Sequence, residues 1–277
     1  MPRIEVAYLG PIGTYSHLVA EKRFGHRAKL VPLPTIQDVC RFVSQAPSDR
    51  RGIVPIENSS GGAIYEMVDI LLGSSPRVHM LEELSLDVKL ALLGRRGEKT
   101  RVLYSHFAPL EHCVTWLKRN LPRVEKRVVA TTAIAAQQVS CQRNAASLGN
   151  RRLAQIYGLE VLHYPVQADV PNITVFLLIG GTQRDQPRST KTTLAVNLPN
   201  RPGSLCTFLE AFRDQQVNLS RLLSRPLRGS PRQYAFVVDV EGSPDKPNAK
   251  RAFALAKKAS VRLRRVGSFP CRKPYKS

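Results

Sequence analysis

Ile4-Glu5-Val6-Ala7-Tyr8-Leu9, a strand-like run, leads directly into Gly10-Pro11-Ile12-Gly13-Thr14-Tyr15-Ser16, after which Leu18, Val19 and Phe24 recur at helical spacing. Strand, glycine-rich loop, helix is the unit from which the fold is read. It recurs as a strand over Lys29 to Pro32, a helix over Thr35 to Val43 opened by Thr35 with Asp38 three residues on, and a strand over Arg51 to Ile56. Glu57-Asn58-Ser59-Ser60-Gly61-Gly62 then leads into a helix over Ile64 to Leu72. Strands alternating with helices predict an α/β fold with a parallel or mixed sheet covered on both faces.

Further along, Val78 to Leu93 is strand-like throughout. A second series begins with a strand over Arg101 to Tyr104, the loop Ser105-His106 and a helix over Leu110 to Leu117. A strand over Glu125 to Ala130 meets Thr131-Thr132 and a helix over Ala133 to Val139. Gly158 stops a helix ending at Tyr157, before a strand over Val161 to Tyr164. Asn172-Ile173-Thr174-Val175-Phe176 opens an apolar strand that runs to Ile179 and carries a threonine hydroxyl, which if buried must find a partner or take part in chemistry. The polar, non-periodic stretch 180–189 reads as a linker. Beyond it the order is strand (Thr192 to Asn197), helix (Ser204 to Gln215), strand (Asn218 to Arg225), strand (Tyr234 to Glu241), helix (Lys250 to Ala259), strand (Val261 to Val266). That is a βαββαβ ferredoxin-like unit. Two domains are expected, residues 1–182 and 190–277, and the break at Asn200-Arg201-Pro202-Gly203 is a natural place for a small ligand.

A chain of 277 residues, 43% hydrophobic, can bury one or two sizeable cores. No apolar run approaches the ~20 residues that span a bilayer, and the N-terminal residues lack a secretory h-region. No membrane association and a cytoplasmic location are therefore expected. Cys40, Cys113, Cys141, Cys206 and Cys271 never form a Cys-x-x-Cys pair, so they read as reduced thiols rather than disulfides or zinc ligands. The formal charge of +21 attracts polyanions in general. No nucleic-acid-binding motif accompanies it, so a solvated basic face is the simpler reading, and the same field would steer a small anionic substrate.

Gly10 to Ser16 fits neither the Walker A pattern nor Gly-x-Gly-x-x-Gly. It offers backbone N–H groups and the hydroxyls of Thr14 and Ser16 at a helix start, where partial positive charge favours a carboxylate. Glu57 to Gly62 repeats the arrangement, and two such loops at the carboxyl ends of neighbouring strands sit where open α/β sheets bind ligands. Ser105-His106 closes a third strand, with His112 one and a half turns on. The histidine spacing matches no zinc pattern, and no Ser-His-acid order can be assigned.

These positions resemble the prephenate dehydratase family. Gly10 to Ser16 is similar to its Gly-Pro-x-Gly-Thr-Phe/Tyr-Ser loop, Val54-Pro55-Ile56-Glu57-Asn58-Ser59 to its Val-Pro-Ile-Glu-Asn-Ser, and Ser105-His106 to its Ser-His-Pro. Tyr157-Gly158-Leu159 resembles its Tyr-Gly-Leu, and Asn172 to Phe176 its Asn-x-Thr-Arg-Phe. In the second domain Asn200-Arg201-Pro202-Gly203-Ser204-Leu205 resembles the Asn-x-Pro-Gly-Ala-Leu of the phenylalanine-binding ACT domain. Asn218 to Pro226 is similar to its Asn-Leu-Thr-Lys-Ile-Glu-Ser-Arg-Pro, and Asp239 to Gly242 to its Asp-x-Glu-Gly. Departures are Val175 for the family's Arg, His112 for Gln, Phe107 for Pro and Leu223 for Glu.

The resemblance implies a two-lobed, periplasmic-binding-protein-like catalytic domain followed by an ACT domain. The implied reaction is loss of CO2 and the ring hydroxyl from prephenate to give phenylpyruvate, under feedback by phenylalanine, with no cofactor and no metal. Thr174, Asn58, Ser105 and His112 are the catalytic candidates that it implies. Gly13, Thr14, Ser16, Glu57, Ser59, Ser60, Gly61, His106, Thr131, Thr132, Asn172 and Phe176 are those for substrate binding. For allosteric phenylalanine they are Asn200, Pro202, Gly203, Ser204 and Leu205 on one loop, with Leu219, Ser220 and Ser224 following Asn218. ACT domains of this type also imply a homodimer, or a dimer of dimers, paired through this domain.

The departing hydroxide needs a proton donor, the role the resemblance gives Thr174. The ring carboxylate must lose its charge as CO2 leaves, so neutral hydroxyls and amides suit it better than a strong ion pair. Alternation along the strand puts residue 175 on the face opposite Thr174. A catalytically weakened aromatic-acid sensor and a basic nucleic-acid-binding protein are the competing readings.

Overall fold

A computed structural model of the protein describes residues 4–59, 61–74, 77–182, 188–227 and 233–277. Ser60 and part of the expected linker lie outside the described residues. The first α/β unit comprises β1 (Ile4–Leu9), α1 (Tyr15–Phe24), β2 (Ala28–Leu33), α2 (Ile36–Gln45), β3 (Arg50–Asn58), β4 (Gly62–Ala63), α3 (Tyr65–Leu72) and β5 (His79–Asp87). Its helices form where expected: α2 buries Ile36, Val39, Cys40 and Val43 on one stripe, and Thr35 Oγ1 accepts from Asp38 N–H at 3.0 Å as its cap.

The chain then leaves this sheet and builds a second one from β6 (Leu90–Gly94), β7 (Val102–Ser105), α4 (Phe107–His112), α5 (Val114–Asn120), β8 (Glu125–Val128), α6 (Thr132–Ser140), β9 (Ala145–Gly149), α7 (Arg152–Tyr157) and β10 (Glu160–Val166). It returns through β11 (Ile173–Gly180), which runs antiparallel between β3 and β5. The result is two lobes joined by two crossings, 87–90 and 166–173. The crossings touch: Val88 N–H donates to Asn172 O at 2.8 Å, and a cavity of about 380 Å³ is lined by residues of both.

The third unit is β12 (Lys191–Asn197), α8 (Ser204–Arg213), β13 (Leu219–Pro226), β14 (Tyr234–Glu241), α9 (Pro247–Lys258) and β15 (Arg262–Phe269), an antiparallel sheet in the order β13-β14-β12-β15. This is the expected ferredoxin-like order. The strand β16 (Tyr275–Lys276) then runs back and pairs parallel with β5, completing the order β16-β5-β11-β3-β1-β2 in the first sheet. Its neighbour Ser277 donates N–H to Asp87 O at 3.1 Å and accepts from Lys89 N–H through Oγ at 2.6 Å, so residues 275–277 lie on the first crossing.

Several boundaries differ from expectation. The continuous run Val78 to Leu93 divides into β5 and β6, which belong to different sheets; leucines on both sides of Asp87 leave no periodic signal of the break. The helix expected over Leu110 to Leu117 is broken at Cys113, whose φ of −122° is not helical. Strand β9 was not expected at all. Its sequence, Ala-Ala-Ser-Leu-Gly, has little strand propensity, yet all five residues are buried, so packing between β6 and β7 overrides local preference. Among the described residues no helix is long and apolar enough to cross a membrane.

One face of the third sheet is covered by α8 and α9, around Phe208, Phe212 and Ala252. Its other face packs on the first lobe: Ala195, Val237, Val266 and Phe269 share one cluster with Met67, Leu71, Val78 and Met80. The approach is closest at Gly267, where an added Cβ would lie 2.2 Å from Met80 O. Gly267→Ala must therefore push β15 away from β5, and overpacking of this kind costs about 1–3 kcal/mol. Urea denaturation should show that loss as a lower midpoint; an unchanged midpoint would mean the two strands are not held at this distance in solution.

Candidate active site

The loops at Gly10, Glu57, Ser105 and Thr131 lie at the carboxyl ends of strands with parallel neighbours, β1, β3, β7 and β8, and Asn172 to Thr174 lies at the start of the antiparallel β11. In the first lobe, Thr14 caps α1: its Oγ1 accepts from His17 N–H at 3.3 Å and donates to Leu9 O at 2.8 Å. Ser16 is buried beside it. Gly13, with φ of +89°, accepts the second lobe against it, because an added Cβ would meet Leu153 Cδ2 at 2.5 Å. The lobes are tied here twice more. Asn150 Nδ2 donates to Gly13 O at 2.7 Å, and Arg152 pairs with Glu21.

The end of β3 meets the start of β11, with Thr174 opposite Asn58 and Val175 opposite Glu57. Asn58 Oδ1 accepts from Gly61 N–H at 3.0 Å, which fixes the orientation of the amide, since a backbone N–H can only donate. Both amide hydrogens are then directed inward, to Asn172 Oδ1 at 3.1 Å and to Thr174 Oγ1 at 2.9 Å. Because Thr174 accepts from Asn58, its own proton is free to be donated elsewhere. Ser59 braces the same corner: its Oγ donates to Pro171 O at 2.7 Å and accepts from Ile173 N–H at 3.0 Å.

From the second lobe, Ser105 Oγ donates to His106 O at 2.9 Å, and Thr131 caps α6 by accepting from Ile134 N–H at 3.1 Å, with Thr132 buried next to it. His106 caps α4, accepting from Ala108 N–H at 3.4 Å, and burial pushes its ring below the ordinary histidine value. His112 is buried with Nδ1 at 2.7 Å from Ala108 O, so Nδ1 donates and Nε2 is left as an acceptor. Among the described residues Nε2 has no hydrogen-bond partner, and neither have the buried atoms Tyr15 Oη and Asn150 Oδ1. Burial pushes the Tyr15 phenol well above its ordinary value, and the neighbouring Cys113 and Tyr164 of the second lobe push it the same way.

Two expected substrate ligands lie elsewhere. Glu57 faces away from Asn58 and receives Arg221 Nε at 2.9 Å from the third unit, as alternation along an extended strand requires. Phe176 is 1% exposed and packs in the core shared by both lobes, so its ring is closed to a ligand. Val175, on the Glu57 side, packs with Leu223 against the cluster under the third sheet. In that third unit, Gly203 opens α8 with φ of +80°, Ser204 Oγ is buried without a partner among the described residues, and Leu205 and Leu219 pack inward. Asn218 Nδ2 donates to Glu241 Oε2 at 2.9 Å, while Asn200, Pro202, Ser220 and Ser224 are exposed.

Asn150 and His17 were missed from sequence. Asn150 ends β9, and recognising that strand was the only signal for it. His17 lies in the first turn of α1, stacked on Tyr8 with ring centroids 4.9 Å apart, and its Nδ1 accepts from Gly13 N–H at 3.1 Å. Among the described residues no group of three or more His, Cys, Asp or Glu is placed to hold a metal ion.

Two α/β lobes hinged by paired crossings, with hydroxyls and amides at their junction and a ferredoxin-like unit docked behind, define a two-lobed enzyme with an appended small-ligand domain. The prephenate dehydratase pattern matches residues 6–184 and the ACT domain pattern residues 192–254, and the chain belongs to the prephenate dehydratase family. It is thus a carbon–oxygen lyase of aromatic amino-acid biosynthesis. It is 34% identical to a bifunctional chorismate mutase/prephenate dehydratase of Stutzerimonas stutzeri over 96% of this chain and 73% of that one. Its fold matches a prephenate dehydratase from Arthrobacter aurescens in complex with L-Phe at a TM-score of 0.85 and 25% identity, covering 96% of this chain and 90% of that one. A protein described as GqqA, a novel type of quorum quenching acylase, matches at 0.86 and 25%, covering 97% and 98%.

His17 gives this site a pH dependence. Burial lowers its pKa from the ordinary 6.5, with Glu21 opposing and Arg152 assisting. The neutral ring accepts the Gly13 N–H, and protonation removes that lone pair. A base depressed in the folded state contributes stability that is complete above about 6.5 and is lost as pH falls through the folded value. The thermal midpoint should therefore fall toward acid pH with a component that His17→Leu removes; an identical pH profile of the midpoint in that variant would discard the role.

Proposed function

We propose that the cleft converts prephenate to phenylpyruvate, CO2 and water, with Thr174 as proton donor to the departing hydroxyl. The observation that carries this is the Asn58–Thr174 hydrogen bond, in which the threonine oxygen accepts and its proton is left for another partner. A threonine hydroxyl is too weak an acid to ionise first, so it acts by hydrogen bonding and proton relay. As the C–O bond breaks the proton reaches the leaving oxygen, the carboxylate electrons enter the ring as CO2 departs, and aromatisation drives the step. Neutral groups such as Ser16, Thr132 and Asn172 suit a carboxylate that must lose its charge, while Thr14, Ser59 and Ser105, whose hydroxyl protons go to backbone carbonyls, shape the loops around it. His112 Nε2 adds an acceptor for water or substrate. Residues 1–182 form the catalytic part and 190–277 the regulatory part of a cytoplasmic enzyme. The high positive charge steers a doubly anionic substrate to it.

Thr174→Ala should lower kcat by about 10²–10⁴-fold, the range for loss of a general acid. Incubation with prephenate, following phenylpyruvate, reads this directly. A folded Thr174→Ala variant with wild-type turnover would remove the assignment, and tight prephenate binding without turnover in the wild type would make the chain a sensor.

Phenylalanine binds the regulatory part at Asn200 to Leu205 and Asn218 to Ser224 and inhibits turnover, with two chains paired through this unit. Support lies in the helix start at Ser204, which offers N–H groups to a carboxylate, and in the open space above Gly203. Gly203→Val forces a β-branched residue to positive φ. Calorimetry should find phenylalanine binding to the wild type and strongly weakened binding to Gly203→Val; equal affinity would move the site elsewhere.

A further inference from the structure

Arg221, on β13 of the third unit, is 9% exposed and reaches out of its own sheet into the first lobe. Its Nε donates to Glu57 Oε2 at 2.9 Å, and its Nη1 donates to Asp239 and, at 3.5 Å, to Glu83 Oε2. Lys191 Nζ donates to Glu83 Oε1 at 2.7 Å, and Thr193 Oγ1 donates to Asp239 Oδ1 at 2.5 Å. Two cations and one carboxylate from the third unit thus meet two carboxylates from the first lobe. Burial alone would push the Arg221 guanidinium down, but the three carboxylates together carry it above its ordinary value.

Glu57 is the residue before Asn58, and in an extended strand the two side chains point to opposite faces. On the cleft face, the Asn58 amide holds Thr174. On the other face, Arg221 holds Glu57. The partner strand repeats this division, with Thr174 opposite Asn58 and Val175 opposite Glu57. Val175 packs against the same apolar cluster as Leu223, which lies two residues beyond Arg221 on β13.

We propose that Arg221 is a positioning residue for turnover: by fixing Glu57 it fixes the end of β3, and with it the amide that orients the Thr174 hydroxyl. This rests on the reading of Thr174 given above. The regulatory unit then completes the catalytic site rather than only adjusting it. The effect falls on the chemical step, because substrate contacts in the second lobe are untouched, and a misplacement of about 1 Å at reacting groups can cost on the order of 10²-fold.

The test uses the full chain. Arg221→Met should lower kcat by about 10–100-fold with KM little changed, and Glu57→Leu should do the same while leaving Arg221 paired to Asp239 and Glu83. Glu57→Gln, which keeps an acceptor for Arg221, should retain more of kcat than Glu57→Leu. Folding of each variant is checked by its thermal melt, and if Arg221→Met does not fold, Glu57→Leu carries the test. The 15N-labelled side-chain amide of Asn58 gives a second readout that needs no turnover: its resonances should shift in Glu57→Leu and hold closer to wild type in Glu57→Gln. Wild-type kcat and an unmoved Asn58 amide in folded Glu57→Leu would overturn the proposal. An inactive wild type whose Asn58 amide still responds would instead overturn the assigned reaction and leave the positioning contact standing.

Discussion

The Asn58 side chain has two hydrogens and one carbonyl oxygen, and each is committed to a different segment. Gly61 belongs to the loop that follows β3, Asn172 to the second crossing between the lobes, and Thr174 to the returning strand. Loss of any one partner would leave a half-buried amide short of a bond, at a cost of about 1–3 kcal/mol, so the three segments constrain one another. The arrangement requires a crossing that ends beside β3, which in turn requires β11 to run antiparallel into the first sheet. Fold and site are thus tied at one amide.

Much of this was legible because strand-loop-helix order is a local property. The first lobe, the ferredoxin-like order of the third unit, and the placing of Thr174 and Val175 on opposite faces all follow from periodicity. What escaped was set by neighbours distant in sequence. Ala145 to Gly149 becomes a strand only because β6 and β7 flank it, and with it went Asn150. Glu57 stands in a polar loop motif and reads as a ligand residue, yet its partner is 164 positions away in Arg221. Phe176 follows the threonine, and nothing in its surroundings tells that its ring turns into the core.

Charge is distributed with similar economy. The chain has 42 basic and only 21 acidic residues, and several of the acids are spent at the seam between the third unit and the first lobe. Asp69 takes both prongs of Arg225, Glu82 lies between Arg23 and Arg272, and Glu57, Glu83 and Asp239 surround Arg221. Asp239, Glu82 and Glu83 are thereby held out of solvent, while Glu57 and Asp69 stay partly exposed. Because an arginine or lysine stands against each of these acids, the pairs leave the net charge of +21 as it was; its exposed part weakens with salt far more than the buried Arg221–Asp239 pair does.

Residues 275–277 place the end of the third unit on the first crossing, against Asp87 and Lys89, and Tyr164 Oη of the second lobe donates to Ser277 O at 3.4 Å. A hinge between two lobes ordinarily bends at the expense of its own backbone alone. Here the same few residues are splinted by a strand that enters from a third body, so rotation of one lobe against the other shears the β16 contacts and draws on the anchorage of that body. The stiffness of the cleft is therefore a joint property of all three units, and softening any one of them widens the range of openings that the other two can reach.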